Sequence, residues 1–178
     1  MSEEKVNTAP VSSAVIRYWG FGVSYSFDIK DSKDLYLEFK SRADEYREDK
    51  MASGNAVICA ILSWHIVEWI YQEYGSSLKD FKKKREFQDY VKLECPSLSY
   101  MQDIANWSKH RGITMYTPAV KETKSHKGAF SSAFSKAFDV SSLRIELENE
   151  VFVYFDDELD KVDSFLKNLF RNTLNINV

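Results

Sequence analysis

Six polar residues stand at helical spacing within two otherwise apolar stretches: His65, Glu68 and Gln72 in the first, Asp103, Asn106 and His110 in the second. Members of each set are three and four residues apart, so at about 100° per residue each set spans a sector of roughly 60° on its helix. An imidazole oriented by a carboxylate can act as a general acid or base. A helical His-x-x-Glu pair, His65 with Glu68, joined across a bundle by Asp103 and His110, would be an N/O donor set for a divalent metal. Lys109 and Arg111 flank His110, and with Lys82, Lys83, Lys84, Arg85, Lys121, Lys124, His126 and Lys127 they could neutralise phosphate if RNA lay against that imidazole. The plainer chemistry of the six residues is a buried hydrogen-bonded network, and it is the favoured reading, because unpaired buried charge costs several kcal/mol. The metal reading ranks behind it: no His-Glu-x-x-His or Cys-x-x-Cys pattern supports it, and no metal ligand is assigned. Trp64, Trp69 and Trp107 beside the set read first as core packing and second as a stacking platform.

The elements that must position these residues follow from periodicity. Residues 1–13 are small and polar, a flexible lead-in. Trp19, Phe21, Val23, Tyr25, Phe27 and Ile29 alternate with small or polar residues, the pattern of a half-buried strand. Asp31 or Ser32 caps a helix to about Glu48, with Leu35, Phe39, Ala43 and Tyr46 as its apolar stripe. A helix from about Ser53 to Tyr74 is apolar nearly all round, which requires neighbours to cover it, and Gly75 is its expected stop. Helices from about Leu78 to Glu94 and from about Ser97 to Arg111 follow, separated by Pro96 and closed by Gly112.

Beyond them, Ile113 to Val120 looks extended and Lys121 to Gly128 reads as a basic loop. Ala129-Phe130, Ala133-Phe134 and Ala137-Phe138 recur every four residues, which sets three rings along one side of a short helix or ordered loop. Alternation at Leu143, Ile145 and Leu147, then at Val151, Val153 and Phe155, predicts a hairpin, and Asp156 or Asp157 caps a last helix to about Asn172. The sum is α+β: a four- or five-helix bundle with a small antiparallel sheet made of the N-terminal strand and the C-terminal hairpin, in one globular domain over residues 14–178.

Composition agrees with one domain. The chain has 178 residues, 44% of them hydrophobic and 15% aromatic, enough for one substantial core and too few for two large ones. A net charge of -3 excludes a surface that is basic throughout, leaving room only for a local patch toward nucleic acid. The start MSEEKVNTAP has no basic-then-apolar leader, and Cys59 and Cys95 lie in apolar helical contexts, so two reduced thiols in the cytoplasm are expected. The most apolar run, Ala56 to Tyr71, holds Ser63, His65 and Glu68 and is shorter than the roughly 20 residues of a membrane span, so no membrane is expected. No Gly-x-Ser-x-Gly elbow, Walker loop or dinucleotide fingerprint occurs, which argues against a hydrolase triad, an NTPase or an oxidoreductase.

As a set, His65-x-x-x-Trp69, Cys95-Pro-Ser-Leu and Asp103-x-x-Asn106-x-x-Lys109-His110 resemble a group of uncharacterised bacterial proteins with His-x-x-x-Trp, Cys-Pro-x-Leu and Asp-x-x-Asn-x-x-Lys-His motifs. The likeness runs over roughly residues 56–170 and brings no activity with it. More distantly the bundle is similar to HEPN domains, helical modules of prokaryotic toxins and antiphage systems whose active members cut RNA with an Arg and a His separated by four to six intervening residues. Only His110 carries over; Asp103 stands in the Arg slot, and a carboxylate cannot hold phosphate as a guanidinium does. What the resemblance implies is a cytoplasmic HEPN-like domain that binds RNA or a protein partner, with self-association open, in a prokaryotic defence or toxin–antitoxin setting. The alternatives are a ribonuclease or metal-dependent hydrolase in which His110, Asp103, Asn106 and His65 are catalytic and Lys109, Arg111, Trp69 and Glu68 bind, and a non-catalytic interaction protein in which these residues only fix the fold. No cofactor is named by any motif.

Overall fold

In the computed structural model, the described residues are 27–78, 80–111 and 115–178. They form α1 (Ser32–Glu48), α2 (Ser53–Tyr74), α3 (Lys84–Glu94), α4 (Ser97–His110), β1 (Glu122–His126), β2 (Ser142–Glu146), β3 (Phe152–Tyr154) and α5 (Phe155–Asn168), the last continuing into a wider turn, Leu169–Thr173. This is the expected α+β class, five helices with a small antiparallel sheet.

Asp31 starts α1 by accepting from the Asp34 amide at 2.8 Å, and Leu35, Phe39, Ala43 and Tyr46 go into the core. A short connection folds α2 back along α1, so that the Ser32 amide and hydroxyl both donate to Glu73 at the far end of α2. α2 is the central element, in contact with α1, α3, α4 and α5. By length and composition it could also cross a membrane, but Cys59, Ala60, Ser63, Ile66, Val67 and Ile70 are buried by protein, as expected of a core helix. α5 closes the bundle: Phe170 just beyond it meets Tyr36 at 5.3 Å between ring centroids, and Phe155 meets Tyr46 edge-on at 5.1 Å.

The sheet order is β1-β2-β3, all antiparallel. Register places Thr123, Ile145 and Val153 in one row on the inner face, above α5, and Lys124, Arg144 and Tyr154 in one row on the outer face. The Arg144 guanidinium lies 4.3 Å from the Phe152 ring centre, covering an apolar ring on the solvent side.

One expectation lies mostly outside the described residues, and three others need correction. The N-terminal strand lies mostly outside the described residues; its described end is a turn at Phe27–Asp28, with Phe27 left-handed at φ 52°, so residues 27 to 29 do not extend it. The third strand of the sheet is instead Glu122–His126, expected as loop, while described residues 115–120 form no strand. ETKSH has no apolar alternation, and its strand geometry comes from pairing with β2. Finally, α3 begins at Lys84 rather than near Leu78, because the Glu86 carboxylate accepts from the Lys82 and Lys83 amides and fixes the first turn there. Of the two readings of the Phe repeat, a short helix or an ordered loop, the loop is the one found: two consecutive turns, closed by Phe134 N–H to Ser131 C=O and Phe138 N–H to Ser135 C=O.

Candidate functional site

The two polar sets turn to different neighbours. On α2, Glu68 pairs with Lys84 at 2.6 Å and accepts from Gln88 at 3.3 Å, both on the α3 side, while His65 and Gln72 are exposed. Trp69 is partly buried against the core. On α4, Asp103 is 3% exposed and accepts three hydrogen bonds: from the Tyr116 hydroxyl at 2.7 Å, the Ala119 amide at 2.7 Å and the Val120 amide at 3.0 Å. The Asn106 amide donates to the Tyr116 oxygen at 3.0 Å, so Tyr116 relays between the two. Burial first, then the bond to Asp103, pushes the Tyr116 phenol up to about 12.

Among the described residues no hydrogen bond or ion pair joins His65, Glu68 or Gln72 to Asp103, Asn106 or His110, and no group of three or more His, Cys, Asp or Glu side chains is arranged to hold a metal ion. Asp103 and Asn106 thus tether the connector from α4 to β1. Every oxygen of the Asp103 carboxylate has a partner, and none faces an imidazole.

His110 stands exposed at the end of α4 with Lys109 and Arg111, and Trp107, 58% exposed, lies one turn before. Arg111 caps the helix in the left-handed region at φ 54°. Among the described residues neither Lys109 nor Arg111 is in an ion pair, in contrast to Lys84 with Glu68 and Lys124 with Glu122. Of the other basic positions, Arg85 is nearly fully exposed, and His126 sits 2.6 Å from Asp139. The two thiols are no nucleophiles here: burial pushes Cys59 up to about 12 and raises Cys95 as well.

A feature that sequence reasoning placed but did not interpret is the loop between β1 and β2. Phe130, Phe134 and Phe138 are 41%, 55% and 54% exposed, yet they pack on one another, with Phe130 at 5.4 Å from Phe134 and 5.3 Å from Phe138 between ring centroids. The loop is pinned at its neck by an Asp139 carboxylate that accepts from Ala129 N–H and meets His126, and by backbone bonds between Phe130, Asp139 and Ser141. Gly128 is required at this neck, since a Cβ there would come 2.3 Å from the Asp139 carbonyl oxygen. At mid-loop Lys136 reaches Asp156 at 2.8 Å and Asp157 at 2.5 Å at the start of α5, and lies 4.5 Å from the Tyr154 ring centre. Burial alone would raise the Asp156 carboxyl, but Lys136 and Lys50 outweigh it and hold it below the usual range. The four-residue Ala-Phe period was the available signal; exposure of the rings was not readable from it.

Compared with known proteins, the chain matches no family model, no curated protein and no solved structure.

Proposed function

We propose that this chain is a binding domain rather than a catalyst, and that it engages a protein partner through Phe130, Phe134 and Phe138. One observation carries the reading: two half-exposed rings packed against a third, Phe130, on a loop anchored at both its neck and its middle. Three half-exposed phenylalanines present roughly 300 Å² of ring surface, comparable to the largest apolar patch of an ordinary monomer. Pre-ordered aromatic anchors are what interface centres are made of, because little side-chain entropy is lost on docking. The setting that goes with it is the one the HEPN resemblance implies, a cytoplasmic partner in prokaryotic defence or a toxin–antitoxin pair.

The test is site-specific photo-crosslinking in the native host, with a photoreactive amino acid at Phe134 and a control at the fully exposed Met115. The expected result is a discrete protein adduct at 134 that disappears when Phe130 and Phe138 are changed to Ser. No adduct, or the same adduct from position 115, overturns the reading.

A second reading has its own observation: Lys109 and Arg111, without ion-pair partners among the described residues, beside exposed His110 and Trp107. These groups suit an RNA backbone and a stacked base. Fluorescence anisotropy with a mixed-sequence RNA should show affinity falling steeply with salt and a shallower slope in Lys109→Ala/Arg111→Ala. Salt-independent binding, or none, removes it. In either case cleavage is not expected, since Asp103 is occupied in holding the connector.

A further inference from the structure

A half-open cavity of about 440 Å³ lies where the turn after α2, helix α3 and the widened turn after α5 come together. Its apolar wall is mainly aromatic. Phe87, fully buried, stacks on Tyr71 at 5.9 Å between ring centroids and takes Phe81 edge-on at 5.4 Å, and Phe81 in turn meets Tyr90 at 4.9 Å. Leu169 adds an aliphatic part to the wall. The rings hold one another in place, so the wall is formed before anything enters it. Polar groups on the lining are few: Ser77, Thr173 and the Asp80 carboxylate. Among the described residues Asp80 is the only charged side chain there, it is exposed, and no cation pairs with it. Of the described basic side chains that follow it, Lys84 pairs with Glu68 and Arg85 with Asp89, while Lys82 and Lys83 are exposed and outside the lining.

We infer that this cavity is a binding site for a small aromatic amine, with its ring against Phe81, Phe87 and Tyr90 and its ammonium group on Asp80. Shape selects a small molecule: the cavity is concave, and its volume falls within the roughly 300–1,000 Å³ of ordinary ligand sites. Chemistry selects a ring and a positive charge. A planar ring packs on fixed rings in offset or edge-on geometry. The faces of Phe81 and Tyr90 and the unpaired Asp80 carboxylate all attract a cation, and no cation on the described lining competes for that place. Ser77 and Thr173 supply hydroxyl oxygens as further acceptors for the ammonium protons. No residue of the β1–β2 loop lines the cavity, so the site stands whether or not Phe134 docks on a partner.

Tryptamine, tryptophol and indolepropionate carry one ring system with a cationic, a neutral and an anionic end, and each can be titrated into the isotope-labelled full chain and followed by NMR. The amides of Ser77, Asp80, Phe81 and Tyr90 should shift saturably with tryptamine while those of Trp107 and Phe134 stay in place. Tryptamine should bind about fivefold more tightly than tryptophol, the contribution of one exposed ion pair, and indolepropionate more weakly than either. Asp80→Asn, a change at an exposed position, should bring tryptamine down to the affinity of tryptophol and leave tryptophol unchanged. Tyr90→Leu should weaken all three in parallel. Absence of saturable shifts at the cavity overturns the inference, and so does tryptamine binding no tighter than tryptophol, an Asp80→Asn chain that still prefers the amine, or unchanged binding in Tyr90→Leu. Indolepropionate binding tightest would assign the charge preference to Lys82 and Lys83 and overturn it equally.

Discussion

The connector held by Asp103 and the loop bearing Phe134 use side chains against type. Near α4 a charged residue is almost fully buried and both of its carboxylate oxygens are engaged, by one phenol and two amides. In the β1–β2 loop three of the most apolar residues available are half in water, with Phe134 and Phe138 each packed at a tilt against Phe130. Polar chemistry thus serves the fold, and apolar surface is what the molecule offers outward. A helical row of Asp, Asn and His is ambiguous until its neighbours are known, and the neighbours here are backbone amides and not a second imidazole.

The comparison is broken most forcefully at Asp103. Asp103→Ala leaves two backbone donors of the connector without acceptors, and should destabilise the protein by about 3 kcal/mol in urea unfolding. Asn106→Ala, which removes only one donor to a half-exposed phenol, should cost about 0.5 kcal/mol. A small effect for Asp103→Ala would mean that its carboxylate is free for other chemistry, and the enzyme readings would return. The loop's own weak point is Gly128: Gly128→Ala forces backbone apart at the neck and should cost about 2 kcal/mol.

Acid should act on the loop through Asp156. The folded Asp156 carboxyl is held below its ordinary value, so the stabilisation from Lys136 and Lys50 is complete above the unfolded pKa of about 3.9 and is lost as pH falls through the lower folded value. A fluorine label on Phe134, followed by NMR, should therefore hold one environment from neutral pH down to about 4 and change below it. In Lys136→Met the Asp156 titration should move upward and the loop should loosen at neutral pH, at a stability cost of about 1 kcal/mol. An unchanged Asp156 titration in that variant would show that Lys136 does not anchor the loop.

Much of this fold is legible from periodicity and caps. α2 runs from Ser53 to Tyr74 as its composition implies, Asp31 caps α1, and the hairpin falls on the two alternating runs around Glu148–Glu150. The failures have a common cause. Glu122–His126 is a strand because β2 lies beside it, and α3 starts late because Glu86 reaches back two turn residues. Such choices belong to tertiary contacts that local pattern does not encode. The same holds for the site: the angular spacing of His65, Glu68, Asp103 and His110 was right for two helix faces, but only packing decides that Glu68 meets Lys84 and Asp103 meets Tyr116.

The smallest expected effects are the ones that discriminate function from fold. His110 and Phe134 are exposed, so His110→Ala and Phe134→Ser should each change stability by less than about 0.5 kcal/mol. Replacing one ring of the trio removes its contact with Phe130 but buries no polar group, and Phe138 still packs on Phe130. If Phe134→Ser instead cost as much as a core truncation, about 3 kcal/mol, the trio would be an outlying piece of core. With stability intact and the crosslink lost, the rings are kept at the surface for a partner; with both intact, partner binding lies elsewhere and the α4 end bearing Lys109 and Arg111 becomes the surface to probe.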